Sequence, residues 1–250
     1  MAEEYEKDGQ RVIKAKITHW KLKERERALF ADAERVTNWK LADKSRRLLA
    51  DLSSHLSDDL PEFVGRSLED LGRPTLRKAA LIATAGITVR AAGSGMALVS
   101  CGYLAESAGP ARRGLEAKLN AMAILDDESG EYAINYLRGR SRGLTKLAEK
   151  YGTREDVVVL SRIAHADVRG LSLLHLRSPR REGAVIEGIV DLSPSRDDVL
   201  AGFALYALAY EAAGMCAVLA EGFNFAFEVP PWVSGELQRQ GDRFRQALTE

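Results

Sequence analysis

The chain has few cysteines, prolines, histidines and aromatic residues, and its charges cancel. Its only cysteines are Cys101 and Cys216, and neither belongs to a Cys-x-x-Cys pair. That excludes a disulfide-stapled fold and argues against a structural metal site. Two isolated thiols in apolar surroundings suit a reducing compartment, so a cytoplasmic location is expected. Lysine plus arginine and aspartate plus glutamate each number 36, with pI near 6.9. No global positive field exists to gather nucleic acid or anionic lipid. The opening MAEEYEKDGQ is acidic and polar, unlike a signal peptide. The longest hydrophobic stretch, 79–105, is divided by Arg90 into runs of 11 and 15 residues. A membrane span needs about 20, so no membrane association is expected.

What is there is apolar and periodic. With 46% apolar content in 250 residues, the chain can bury a large core. Spacings of three and four recur in nearly every segment, predicting an all-α, multi-helix bundle with one irregular loop or short hairpin near 171–192. Residues 10–60 contain neither Gly nor Pro. They read as long amphipathic helices with one break near Thr37-Asn38, forming an N-terminal region 1–60 ahead of a core domain 61–250. Pro61, Gly65 and the run Gly72-Arg73-Pro74 read as breaks. A helix from Thr75 to about Glu106 follows, with small residues at Ala83, Gly86, Ala92 and Gly95 for close packing. Gly109-Pro110 opens the next helix, and Asp126–Gly130 reads as a turn. A helix over 132–150 carries the only compact basic run, Arg138, Arg140 and Arg142. Thr153 and Ser195 stand where N-caps belong. The segment 196–221 is apolar nearly all round and should lie centrally. The strip Ile13, Ile17 and Trp20, set beside dense charge, suggests a surface covered by a second copy of the chain.

Chemistry is sparse. There is no Gly-x-Ser-x-Gly elbow, no His-Glu-x-x-His and no pair of Glu-x-x-His motifs, so no metal and no cofactor is expected. His19 and His55 lie in the charged N-terminal helices and read as surface groups. His165 follows Ser161 by four residues and Arg162 by three, so all three can share one helical side. Arg112, Glu116 and Asn120 are spaced by four on another helix. If the chain has a polar cleft, these two sets should face each other, with Arg169 beside them. Arginine and glutamate would compensate one another and leave His165 to transfer protons. A purely structural network of the same groups is the competing reading.

The segments ARRGLEAKLN (111–120) and LSRIAH (160–165), with the irregular polar stretch after them, resemble an uncharacterised family of bacterial all-helical proteins over residues 75–225. That family is comparable to the HEPN-type helical ribonucleases, which carry an arginine, four to six residues, then a histidine. Arg169 and His175 match this spacing, although Gly170 stands where a polar residue normally follows the arginine. The resemblance implies a metal-independent endoribonuclease in which His175 moves protons and Arg169 stabilises the phosphoryl transition state. The sequence as a whole favours a non-catalytic helical interaction or regulatory protein that forms a homodimer or binds a protein partner. RNA is the weaker candidate partner. A third alternative is a helical pocket for an apolar small molecule, lined by the 75–106 helix and Tyr206, Tyr210, Phe223 and Phe225.

Overall fold

The computed structural model describes residues 2–7, 10–15, 40–71, 75–104, 106–140, 143–164, 176–182, 185–190 and 198–247. Eight helices among them pack together around one hydrophobic core. Helix α1 is Lys40–Ser54, a π-helical turn His55–Asp59, and Leu60–Leu71 without interruption. The others are α2 (Leu76–Ser100), α3 (Ala108–Asp126), α4 (Glu131–Leu137), α5 (Leu144–Lys150), α6 (Arg154–Ala164), α7 (Asp198–Gly222) and α8 (Trp232–Ala247). The described residues also form two antiparallel hairpins: β1 (Ala2–Lys7) with β2 (Gln10–Ala15), and β3 (Leu176–Glu182) with β4 (Val185–Val190).

The expected helical bundle and the hairpin near 171–192 are both present. In that hairpin the register shifts between Arg177 and Arg180. Pro179 lies within this irregularity, where a residue without an N–H is tolerated in a strand.

Several local expectations need correction. Residues 10–15 form a strand, where a helix was expected. They pair antiparallel with residues 2–7, in a register that sets Ala2 opposite Ala15 and Lys7 opposite Gln10. Pro61 and Gly65 do not break α1. The π-turn just before them takes Leu60 N–H back to the His55 carbonyl. The widened turn accommodates a proline that has no N–H to donate. The proposed boundary at residue 60 therefore falls inside a continuous helix. Leu48, Leu49, Leu52, Leu56 and Leu60 belong to the same core as α7. His55 is not a plain surface group: it bonds Asp59 and the Glu228 carbonyl and stacks on Phe227 at 4.5 Å. The 132–150 helix is two helices, because Gly139 takes φ +73° and ends the first. The Thr153 hydroxyl is buried without a hydrogen-bond partner and so caps nothing. Helix α2 ends at Ser100, with Gly102 at φ +81° just beyond.

Helix α7 is the axis of the bundle. It packs against α1, α2, α3 and α8, and Leu205, Leu208, Met215, Cys216 and Leu219 are buried along it. Burial pushes the Cys216 thiol up to about 12, so it behaves as a small apolar side chain. Helix α3 is the second hub, holding α2, α4, α5, α6 and α7. Small residues set the α2–α7 distance, since a Cβ on Gly95 would run into the buried Leu208. Buried threonines on α2 satisfy themselves within the helix: Thr84 donates to the Leu81 carbonyl at 2.6 Å. Both α2 and α7 are long and apolar enough to cross a membrane, yet 56% of each apolar window is buried inside the protein. Helices of this kind also form the cores of soluble bundles.

Candidate functional site: the cleft between α2, α3 and α4

Two helical faces with the same spacing make the site. Helix α2 contributes Ile87, Arg90, Ala91 and Ser94, and α3 contributes Arg113, Glu116, Ala117 and Asn120. Each set steps by three, one and three residues, which keeps it on one side of its helix. Tyr136 on α4 closes the cleft, whose volume is about 350 Å³. That is the lower end of small-molecule sites.

The far wall is held by the turn after α3. The Asp127 carboxylate accepts from the Ser129 hydroxyl at 2.6 Å and from the Tyr132 N–H at 2.5 Å, while Gly130 takes φ +74°. Together they start α4 and aim its tyrosines. The Tyr132 hydroxyl donates to Asn120 Oδ1 at 2.8 Å, and Asn120 Nδ2 donates to the Glu116 carbonyl at 2.8 Å. Asn120 is buried and fixed from both ends. Arg77 sits at the C-terminal end of α3, donating to the carbonyls of Ile124 and Leu125, where a cation complements the helix dipole. Lys150 and Tyr151 clamp Asp126 at 2.6 and 2.9 Å.

The bond from Ser129, then that from the Tyr132 amide, holds the Asp127 carboxyl below its usual range. The native state therefore binds fewer protons here than the unfolded chain. The resulting stability is present above the unfolded value of about 3.9 and is lost as pH falls through the lower native value. Asp127→Asn should reduce stability at neutral pH and flatten the acid limb of the stability curve. Urea melts of parent and variant at neutral and acid pH check this, and parallel curves would count against it.

The electrostatics of the cleft are mixed. Arg90 and Arg113 are exposed, and among the described residues no acidic side chain forms a salt bridge with either. Burial first, then the Glu116 carboxylate, pushes the Tyr136 phenol up to about 12. Glu116 and Tyr136 thus interact electrostatically, and both line the cleft.

The expected polar residues divide into three groups. Glu116 and Asn120 line the cleft. Arg112 is half-buried on α3 but is not part of that lining, and Arg113 takes the place expected of it. Ser161 is half-buried on α6, which packs on α3, but it does not line the cleft. The Arg162 side chain, His165, Arg169 and His175 lie outside the described residues, as do the side chains of Ile13, Ile17 and Trp20. The sequence reading passed over Arg90, Ser94, Arg113 and Tyr136. Arg90 gave a signal, being the only charge between Ala79 and Ala105: it marks the one side of α2 that meets water.

A second polar cluster lies between α3 and α7. Lys118 Nζ stands 2.6 Å from Glu211 Oε2, with both side chains only 11% exposed. The ammonium also sits 5.3 Å from the Tyr210 ring centroid, and a Cβ on Gly214 would come within 2.7 Å of Lys118 Cδ. Among the described residues, no three His, Cys, Asp or Glu side chains gather as a metal ion would need. Comparison with protein-family models, with curated proteins and with solved structures finds no match to this chain. The functional reading rests on its own geometry.

Proposed function

We propose that this is a non-catalytic helical interaction or regulatory protein, working as a homodimer in the cytoplasm and recognising its ligand in the α2–α3–α4 cleft. One observation carries the reading: the cleft gathers Arg90, Arg113, Glu116, Asn120 and Tyr136 from three helices, and neither histidine nor cysteine is among its lining residues. Guanidinium, carboxylate, amide and phenol groups so placed hold a ligand by charge and hydrogen bonds.

The homodimer gains support from α7. It exposes Phe203 and Tyr210, two turns apart on one side, with half-buried Ala207 between them. Lys118 of α3 reaches the Tyr210 ring and Gly214 and ends the apolar strip there. The order ring, alanine, ring lets an antiparallel second copy set its rings beside the partner's small residue. Sedimentation at micromolar concentration should show a species near twice 27.4 kDa, and Phe203→Glu with Tyr210→Glu should return it to monomer. A parent that stays monomeric at high concentration removes the dimer from the proposal.

The endoribonuclease alternative rests on Arg169 and His175, and no described residue adds to it. Cleavage of single-stranded RNA by the purified protein, abolished by His165→Ala or His175→Ala without loss of folding, would replace the non-catalytic reading. The apolar-pocket alternative loses two of its rings to packing: Tyr206 lies against Phe244 at 5.4 Å and Phe223 against Phe63 at 5.4 Å.

A further inference from the structure

The cleft carries charge of both signs at separate places. Arg90 and Arg113 reach it from two different helices, and among the described residues no acidic group forms a salt bridge with either. Glu116 is one turn from Arg113, a spacing at which helical ion pairs commonly form, yet no such pair is made. Its carboxylate instead acts on Tyr136. Two guanidinium groups and one carboxylate leave the cleft with an excess of one positive charge. A simple anion on the arginines would leave Glu116 unanswered, and a simple cation on Glu116 would leave both arginines so. A molecule carrying both charges meets all three groups, one carboxylate bridging the two guanidinium groups; being neutral overall, it leaves the single excess positive charge to solvent at the exposed arginines. The volume of about 350 Å³ restricts it to a small one, and Ile87 with Ala91 offers apolar contact for an aliphatic portion.

We propose that the cleft binds a small zwitterion of the free amino-acid class, its carboxylate on Arg90 and Arg113 and its ammonium on Glu116 beside Tyr136. Planar guanidinium groups match a carboxylate in two-point fashion. Asn120, fixed by Tyr132 and by its own helix, keeps this wall rigid, so little ordering cost falls on binding. The inference rests on the reading of this cleft as the recognition surface, and it names what is recognised.

The test uses the full-length protein and the free amino acids one at a time, with acetate, methylammonium and inorganic phosphate as single-charge controls. Thermal shift screens them, and calorimetric titration measures any hit. At least one amino acid should saturate at millimolar concentration or below, while the three controls do not. Arg113→Gln and Glu116→Gln should each weaken that amino acid about tenfold or more, the loss of one charge-assisted contact, with unchanged circular dichroism and melting. The proposal is overturned if no amino acid binds at tens of millimolar. It is equally overturned if phosphate binds as well as the best amino acid and Glu116→Gln tightens it, which would mark a plain anion site. Either result leaves the homodimer and the absence of turnover to their own measurements, so failure of the ligand class and failure of the interaction reading are separable.

Discussion

Lys118→Met should destabilise the fold by about 3–5 kcal/mol, and adding Glu211→Leu should recover most of that loss. Lys118 on α3 and Glu211 on α7 face each other at 2.6 Å with both side chains 11% exposed. Burial is the first cause acting on Glu211 and drives its carboxyl upward; the Lys118 charge opposes it, and Asp156 adds a smaller upward push. Removing the ammonium leaves burial and Asp156 acting alone, so the native state of Lys118→Met takes up a proton on Glu211 more readily than the unfolded chain does. With the native value raised, the slope of stability against pH is negative between the two values. The variant should therefore regain stability relative to the parent as pH falls from neutral toward the unfolded glutamate value of about 4.3. The double variant should show no such recovery, because no buried charge remains. Urea denaturation of the four proteins of the cycle at neutral and mildly acid pH measures both effects. A loss under about 1 kcal/mol in Lys118→Met would mean that water reaches the pair and screens it.

The same pair shows where the sequence was readable and where it was not. Helix α3 was legible as a helix, and its buried Leu115 and Leu119 were legible as a face. The lysine between them looked like any surface charge. Nothing in ARRGLEAKLNAMAIL tells that Lys118 finds a glutamate about ninety residues away, because long-range pairing is set by how α3 crosses α7 rather than by spacing within either. Gly214, which makes room for the lysine stem, likewise looked like an ordinary small residue in an apolar helix.

Periodicity read the bundle well for a physical reason. Burial along α1 and α3 follows the helical repeat, and that repeat is written locally; α2 and α7 are apolar nearly all round and were legible by their length and composition. It failed where a local device overrides it. The π-turn at His55–Asp59 carries α1 through Pro61, and nothing in His-Leu-Ser-Asp-Asp announces a π-turn. The β1–β2 hairpin did leave a signal that the helical reading passed over: an Asp-Gly dipeptide between two short runs is a sequence pattern that favours a two-residue hairpin. For the candidate site, α3 supplied its expected residues Glu116 and Asn120, since their spacing is fixed by the helix. The facing wall was missed, because the partner of α3 at this place is α2 rather than the helix that carries Ser161.

Leu205→Ala should cost about 2–5 kcal/mol and lower the melting temperature by several degrees. Leu205 is 3% exposed on α7, the helix that touches α1, α2, α3 and α8 together. Deleting three carbons there removes their transfer free energy and leaves a void whose walls belong to several helices. A cavity at the edge of a bundle can close by the shift of one helix. At the axis, closure would need several helices to move at once, and their contacts elsewhere resist it. Close-approach positions on α7 add to that resistance. A Cβ at Gly202 would already meet the Phe244 ring at 3.0 Å and the Ala42 backbone nitrogen at 3.2 Å, so α7 has little freedom to slide toward α8 or α1. The cost should therefore fall in the upper half of the range. Leu237→Ala on α8, a half-buried position at the margin of the same core, should cost less than half as much. Chemical denaturation of both variants beside the parent decides the matter. Equal losses at the two positions, or a loss within 0.5 kcal/mol of the parent at Leu205, roughly the effect of a surface change, would remove α7 from the centre of the fold.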